Sequence, residues 1–359
     1  MAHYYPDQTT VLPMTLIRRD RLLPPDVFGT VEVQEGERVV ATDIVARGVR
    51  ASQYVVVDLA AHFRTDDAET LHELIQVEVG DVVETGDILA EKEGRRGHVV
   101  RATASGLVAQ NFEGRLVLHT GLSEVVLRAD MRGTVAVVHG RRGVVLETVG
   151  GLVQGAWGNG DSQLGTLQAE PDGGLGALEV DEFAPEWRGA LVVVPHCLDR
   201  RALAKANTQK LGGIIAASMP VDLRKIAMRL KMPIMLTEGF GDERMNRQAL
   251  HTLESYYGRQ ASLNAVQPDR WSPDRPEVII PDQAERDVSP PARAEHLRVD
   301  AEVRLVREPF PGVIATIKDL PAAPQRLENG LRVPVAAVTL PSGRTVTVPL
   351  VNLELFGRG

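Results

Sequence analysis

The chain has one cysteine, Cys197, in 359 residues. That excludes an intrachain disulfide framework and any zinc site built on several cysteines. Nothing in the cysteine usage points to an oxidising compartment, so the cytoplasm is the expected location. Aromatic residues make up only 4%, so the cores must be assembled from Val, Leu, Ile and Ala. No stretch reaches the roughly 18 consecutive apolar residues of a membrane-spanning helix. Residues 1–20 carry Asp7, Arg18, Arg19 and Asp20 around a short apolar patch, which reads as neither a signal peptide nor an anchor. There is no basic surplus either. Lys and Arg number 40 against 48 Asp and Glu, a formal charge of −8 with the two signs interspersed, and this weighs against a general nucleic-acid binder.

What the chain does have is glycine, 33 residues of it, set between short β-prone runs. A chain of this length exceeds one ordinary core, and the expected organisation is a multidomain α+β protein. Its parts are an N-terminal extension over 1–26, a β-rich domain over 27–149, a Gly-rich connection over 150–188, a parallel three-layer α/β domain over 189–266, a Pro-rich linker over 267–297 and a small β-barrel over 298–359. Inside the first β-rich domain, Gly36-Glu37-Arg38-Val39-Val40-Ala41-Thr42-Asp43-Ile44-Val45-Ala46 repeats 44 residues later as Gly80-Asp81-Val82-Val83-Glu84-Thr85-Gly86-Asp87-Ile88-Leu89-Ala90. Each copy reads as a turn, a strand, a second turn and another strand. Between them, Tyr54 to Leu59 reads as a buried strand, and Asp66 with Glu69 as a capping box opening a helix.

The period changes after Gly189. Ala190 to Val194, Gly213 to Ala217 and Ile234 to Leu236 are apolar runs of strand length. Asp199, Asp222 and Asp242 each stand before a helical pattern, with Gly212 and Pro233 as stops. Alternation of this kind with short connections predicts a parallel sheet covered by helices, in a Rossmann-like arrangement.

Two segments resemble known modules. Gly80 to Gly106 resembles the barrel-sandwich hybrid of biotinyl and lipoyl domains, through its Gly-acid opening, its valine, and Gly86-Asp87 before Ile88-Leu89-Ala90. Those carriers bear their cofactor on a lysine at a hairpin tip. Here the tip reads Gly94-Arg95-Arg96-Gly97, with Lys92 before it, so the resemblance implies an unmodified structural module with no cofactor. Val303 to Ile317, with its Pro309-Phe310-Pro311-Gly312 turn, resembles the KOW motif of ribosomal proteins and transcription elongation factors and implies an SH3-like barrel. Ala315 stands where that family often has a second glycine, and no glycine opens the motif near Asp300.

In an open parallel sheet, ligands bind beyond the carboxyl ends of the strands. That rule gathers His196, Cys197, Ser218, Thr237 and Glu238 at one rim. Cys197 is either a nucleophile beside a histidine or an inert thiol in a strand-to-helix turn, and successive side chains of an extended segment point apart. Thr237-Glu238-Gly239-Phe240-Gly241 is the second candidate, either a ligand loop with Thr237, Glu238, Gly239 and Gly241 as contacts or a tight turn. Gly158-Asn159-Gly160 lacks the lysine and the strand-to-helix context of a phosphate loop, and His72 with Glu73 lacks the second histidine of a zinc-protease helix; no metal site is expected. The functional expectation is a non-catalytic cytoplasmic assembly or adaptor protein with a protein partner or self-association and no membrane contact. The alternatives are an enzyme or a regulator binding a small ligand or anion at the α/β rim, with Cys197, Ser218, His196 and Glu238 as its chemistry. The other is a KOW-type factor touching nucleic acid through 298–359.

Overall fold

The computed structural model describes residues 7–65, 67–92, 98–176, 187–269, 274–282, 288, 290, 296–307, 309–310 and 312–356. Among these, 26 strands outnumber five α-helices, so the chain is β-rich. Its centre is an eleven-stranded mixed sheet. Four neighbours in that sheet run parallel: Ser162–Ala169, Leu191–Cys197, Gly213–Met219 and Ile234–Phe240. Continuous apolar runs make three of these strands because both of their faces are covered. Val192, Val194, Ile214, Ala216, Ile234 and Leu236 pack on the helices Arg200–Thr208 and Arg224–Ala227. Their alternates Leu191, Val193, Ile215, Ala217 and Met235 pack with Ala249 and Leu253 of the helix Arg247–Glu254.

The helix starts differ in part from the sequence reading. Asp199 caps its helix, its carboxylate accepting from Ala202 N at 2.6 Å. Asp222 instead lies in a 3-10 turn over Val221–Leu223 that has no side-chain cap. The third helix is capped by Asn246, which accepts from Ala249 N at 2.8 Å, and not by Asp242. The helix Ala68–Leu74 is capped by Asp67; Asp66 lies outside the described residues.

Three stretches expected to be connecting segments build the central sheet. Val11–Leu22, within the N-terminal extension, pairs along nearly the whole of Gly143–Gln154. Gly143–Gln154 itself runs into the Gly-rich connection, and Ser162–Ala169 of that connection joins the parallel strands. Glu277–Pro281, inside the expected linker, pairs with Gly143–Gln154 and Gln260–Asn264. Its Val278-Ile279-Ile280 core is fully buried, and flanking Pro and charged residues hide it in the sequence.

The repeat has a structural counterpart. Gly36 N donates to Val135 O at 2.8 Å and Val135 N to Glu37 O at 2.9 Å; Gly80 N donates to Val108 O at 2.8 Å and Val108 N to Asp81 O at 2.8 Å. Asp43 O accepts from Ala129 N, and Asp87 O from Ala102 N. The returning segments Ala129 to Val135 and Ala102 to Val108 match each other, with Gly133 and Gly106 at the same place. A Cβ there would lie 2.5 Å from Glu147 O and 2.2 Å from His119 O respectively. The second unit is therefore nested inside the first, which closes only after the long antiparallel ribbon Ile44–Asp58 with Arg115–Arg128. Tyr54 to Leu59 is not a buried strand: Tyr54 is 73% exposed, and Leu59 begins a short helix.

The C-terminal strands Glu302–Leu305, Ile314–Asp319, Val335–Thr339, Thr345–Pro349 and Leu353–Phe356 form a six-stranded sheet with Asp7–Thr9. Asp7–Thr9 lies parallel to Leu353–Phe356. A strand from the expected N-terminal extension thus completes the edge of the sheet formed within the expected barrel over 298–359. Among the described residues no helix is long and apolar enough to cross a membrane.

Candidate functional site

The ladder brings the rim residues into register, with Cys197 opposite Ser218 and Ser218 opposite Gly239. Register shifts after Val194 and after Ala216 adjust the strand ends. Beyond them the loop leaving Ile234–Phe240 folds back over the rim. Gly239 (φ +94°) and Gly241 (φ +149°) hold backbone conformations that side-chain-bearing residues rarely adopt. The loop's own polar groups then meet the rim. Ser218 Oγ donates to Glu243 O at 2.8 Å and accepts from Glu243 N at 2.9 Å. Cys197 Sγ donates to Gly241 O at 3.2 Å, and Thr237 Oγ1 to Ala216 O at 3.5 Å.

His196 and Cys197 diverge as an extended strand requires. The thiol turns to Gly241, while His196 Nδ1 lies 3.0 Å from Glu170 Oε1. Partial burial is the main influence on the thiol and pushes its pKa up; Ser218 opposes this, and Asp242 and Asp199 add to it. A helix N-terminus and an imidazole would have lowered it, but the imidazole is engaged elsewhere. Glu170 is held above the ordinary carboxylate range by burial, which the neighbouring His196 and the Leu175 backbone only partly offset. Its Oε2 is buried and has no hydrogen-bond partner among the described residues. The nearby Tyr257 phenol is pushed up to about 12 by burial, then by Glu254 and Glu170.

Ser218 and Thr237 are fully buried, and the Glu238 carboxylate is enclosed with them, its side chain 3% exposed. Oε1 accepts from Asn246 N at 3.2 Å and Asn246 Nδ2 at 2.7 Å, and Oε2 accepts from Arg304 Nη1 at 2.9 Å. Arg304 comes from the C-terminal sheet. It also donates to Thr237 O at 3.2 Å and, through Nε and Nη2, to Glu354 at 2.9 and 2.5 Å. Glu354 is further met by Arg275 at 3.2 Å and by the Thr9 hydroxyl. Burial alone would weaken the Arg304 guanidinium's hold on its proton, but Glu354 and Glu238 more than reverse that and raise its pKa. Two arginines and two glutamates thus form a charge-balanced cluster joining the α/β unit to the C-terminal sheet.

The rule about strand ends brings Cys197, Ser218, Thr237 and Glu238 together, with their thiol, hydroxyl and carboxylate groups spent on the protein itself, while the half-exposed His196 turns to Glu170. Sequence reasoning missed Arg304, Glu354, Asn246 and Glu170. The signal for the first two was present as a charged residue between apolar neighbours in Val303-Arg304-Leu305 and Leu353-Glu354-Leu355. Asn159 has a structural role: its amide donates to Ala227 O at 3.2 Å and Met232 O at 2.8 Å and accepts from Ile234 N at 3.0 Å. Lys92 is exposed at the end of Ile88–Lys92, and the Gly94 to Gly97 tip lies outside the described residues. Among the described residues no group of three or more His, Cys, Asp or Glu side chains is placed to hold a metal ion. No known protein family and no curated protein matches the chain.

Proposed function

We propose that this is a non-catalytic assembly or adaptor protein of the cytoplasm. In this reading two nested barrel-sandwich-like units and a KOW/SH3-like barrel are docked on a central α/β sheet. The observation that carries it is an apolar strip on the outer face of the nested unit. Tyr54 and Val56 lie on one face of their strand at 73% and 52% exposure, and Phe112, at 62%, reaches the same face across Arg115. Half-buried Val117 lies between them, opposite Val56. Grouped aromatic and β-branched side chains facing water are what a docking surface requires, whereas scattered single ones are ordinary. The rim supports the same reading, because its hydroxyl, thiol and carboxylate groups are committed to internal partners.

The test is sedimentation of the full chain over a range of concentrations, together with recovery of partners from nuclease-treated lysate. Tyr54→Asp with Phe112→Asp should abolish self-association or the stoichiometric partner while leaving the melting temperature unchanged. A wild-type chain that stays monomeric and recovers no stoichiometric protein removes the reading. Recovery that disappears on nuclease treatment favours a nucleic-acid role instead.

A further inference from the structure

The large sheet is covered unevenly. On one face Ala261, Leu263, Val278 and Ile280 are sealed under the helix Arg247–Glu254. On the other face, Leu164 pairs with Ser262 and Ser262 with Ile279. Ile279 joins the core of the outer β-unit, beside Met131. Where that unit and the sheet separate, a cleft of about 380 Å³ remains, lined among others by Met131, Arg132, Leu164, Ser262 and Pro281. This volume falls within the roughly 300–1,000 Å³ of small-molecule sites.

The charges in the cleft do not cancel. Arg259 lies over the Tyr256 ring at 5.6 Å and is paired with Asp282 at 2.9 Å. Arg132, on the other wall, is exposed and has no ion-pair partner among the described residues. One uncompensated guanidinium beside Met131, Leu164 and Pro281 is chemistry for a ligand with one anionic end and an apolar body. A guanidinium fork matches a carboxylate in particular. We propose that this cleft binds a small monocarboxylate, its carboxylate on Arg132 and its apolar body against Leu164 and Pro281. The site is separate from both the α/β rim and the apolar strip, and it does not depend on either.

The experiment is calorimetric titration of the full chain with 1-naphthoate and with the neutral, similarly shaped 1-naphthamide. The wild type should bind naphthoate at one saturable site. Arg132→Gln should weaken naphthoate about tenfold, the weak end for a charge-assisted hydrogen bond at a half-open site, and leave naphthamide unchanged. Leu164→Trp should fill the cleft and abolish both. Arg132 is exposed, so its variant keeps the test valid even if Leu164→Trp melts early. Absence of saturable naphthoate binding, naphthoate affinity unchanged in Arg132→Gln, or full binding by a folded Leu164→Trp would each overturn the proposal.

Discussion

Replacing Arg304 with methionine tests the joint between the α/β unit and the C-terminal sheet. The arginine side chain is 5% exposed and serves Glu238, Glu354 and the Thr237 carbonyl. Methionine fills much of the volume but leaves two buried carboxylates short of a cation. Breaking one partner out of a buried ion pair costs about 3–5 kcal/mol. Here Glu354 keeps Arg275 and Thr9, and Glu238 keeps Asn246, which places the expected loss near the lower bound, about 3 kcal/mol. Adding Glu238→Gln and Glu354→Gln removes both stranded carboxylates and deprives only the partly exposed Arg275 of its pairing with Glu354, so the triple variant should recover part of the loss, because neutral groups in place of buried unpaired charges remove their desolvation cost. Arg304→Lys should fall between, having lost the fork that reaches both carboxylates. Urea unfolding followed by circular dichroism measures the loss, with coincidence of two probes required before a single free energy is assigned to a chain with several cores. Amide exchange over Leu353–Phe356 and residues 237–245 locates it. A single variant within about 0.5 kcal/mol of wild type, the range of ordinary surface changes, would refute the reasoning. So would a triple variant as unstable as the single one.

Gly106→Ala and Gly133→Ala should each destabilise by about 1–3 kcal/mol, the usual cost of forced overpacking, since the added methyl meets a neighbouring strand's carbonyl; equal melting temperatures for variants and wild type would count against the nested units. Asn159→Ala strands buried groups of the turn around Met232 and Ile234 and should cost about 1–3 kcal/mol or more, read as a lower urea midpoint. Burial raises the Glu170 pKa, so its ionised form is the penalised one. The stability Glu170 contributes is fully present below the ordinary glutamate range of about 4.3 and is lost as pH rises through its elevated folded value. Glu170→Gln should therefore stabilise the protein at neutral pH and leave it unchanged in acid, and a gain independent of pH would contradict this. Cys197 should alkylate slowly with iodoacetamide at neutral pH and accelerate only in alkali, whereas rapid labelling at pH 7 would indicate a thiolate.

The sequence by itself determined the elements whose signal is local. The apolar runs of the parallel strands, the Asp199 cap and the paired Gly-acid turns at Gly36 and Gly80 each follow from the period of burial, one side-chain oxygen or one backbone conformation. It also placed Cys197, Ser218 and Glu238 at one rim, because strand ends follow from strand order. Only the tertiary structure decided what covers that rim. In Val303-Arg304-Leu305 and Leu353-Glu354-Leu355, alternation of apolar and charged residues reads as a half-buried sheet with its charges in water. Val303, Leu305, Leu353 and Leu355 do face one core, yet Arg304 and Glu354 are directly paired and closed off by Glu238 from a strand more than 60 residues away in the chain. The same limit concealed Val11–Leu22 and Glu277–Pro281 as members of the central sheet, and the closure of the outer repeat by Val135 across the inner one. A strand's partner and the covering of its second face are properties of distant contacts, and no local pattern of residues encodes them.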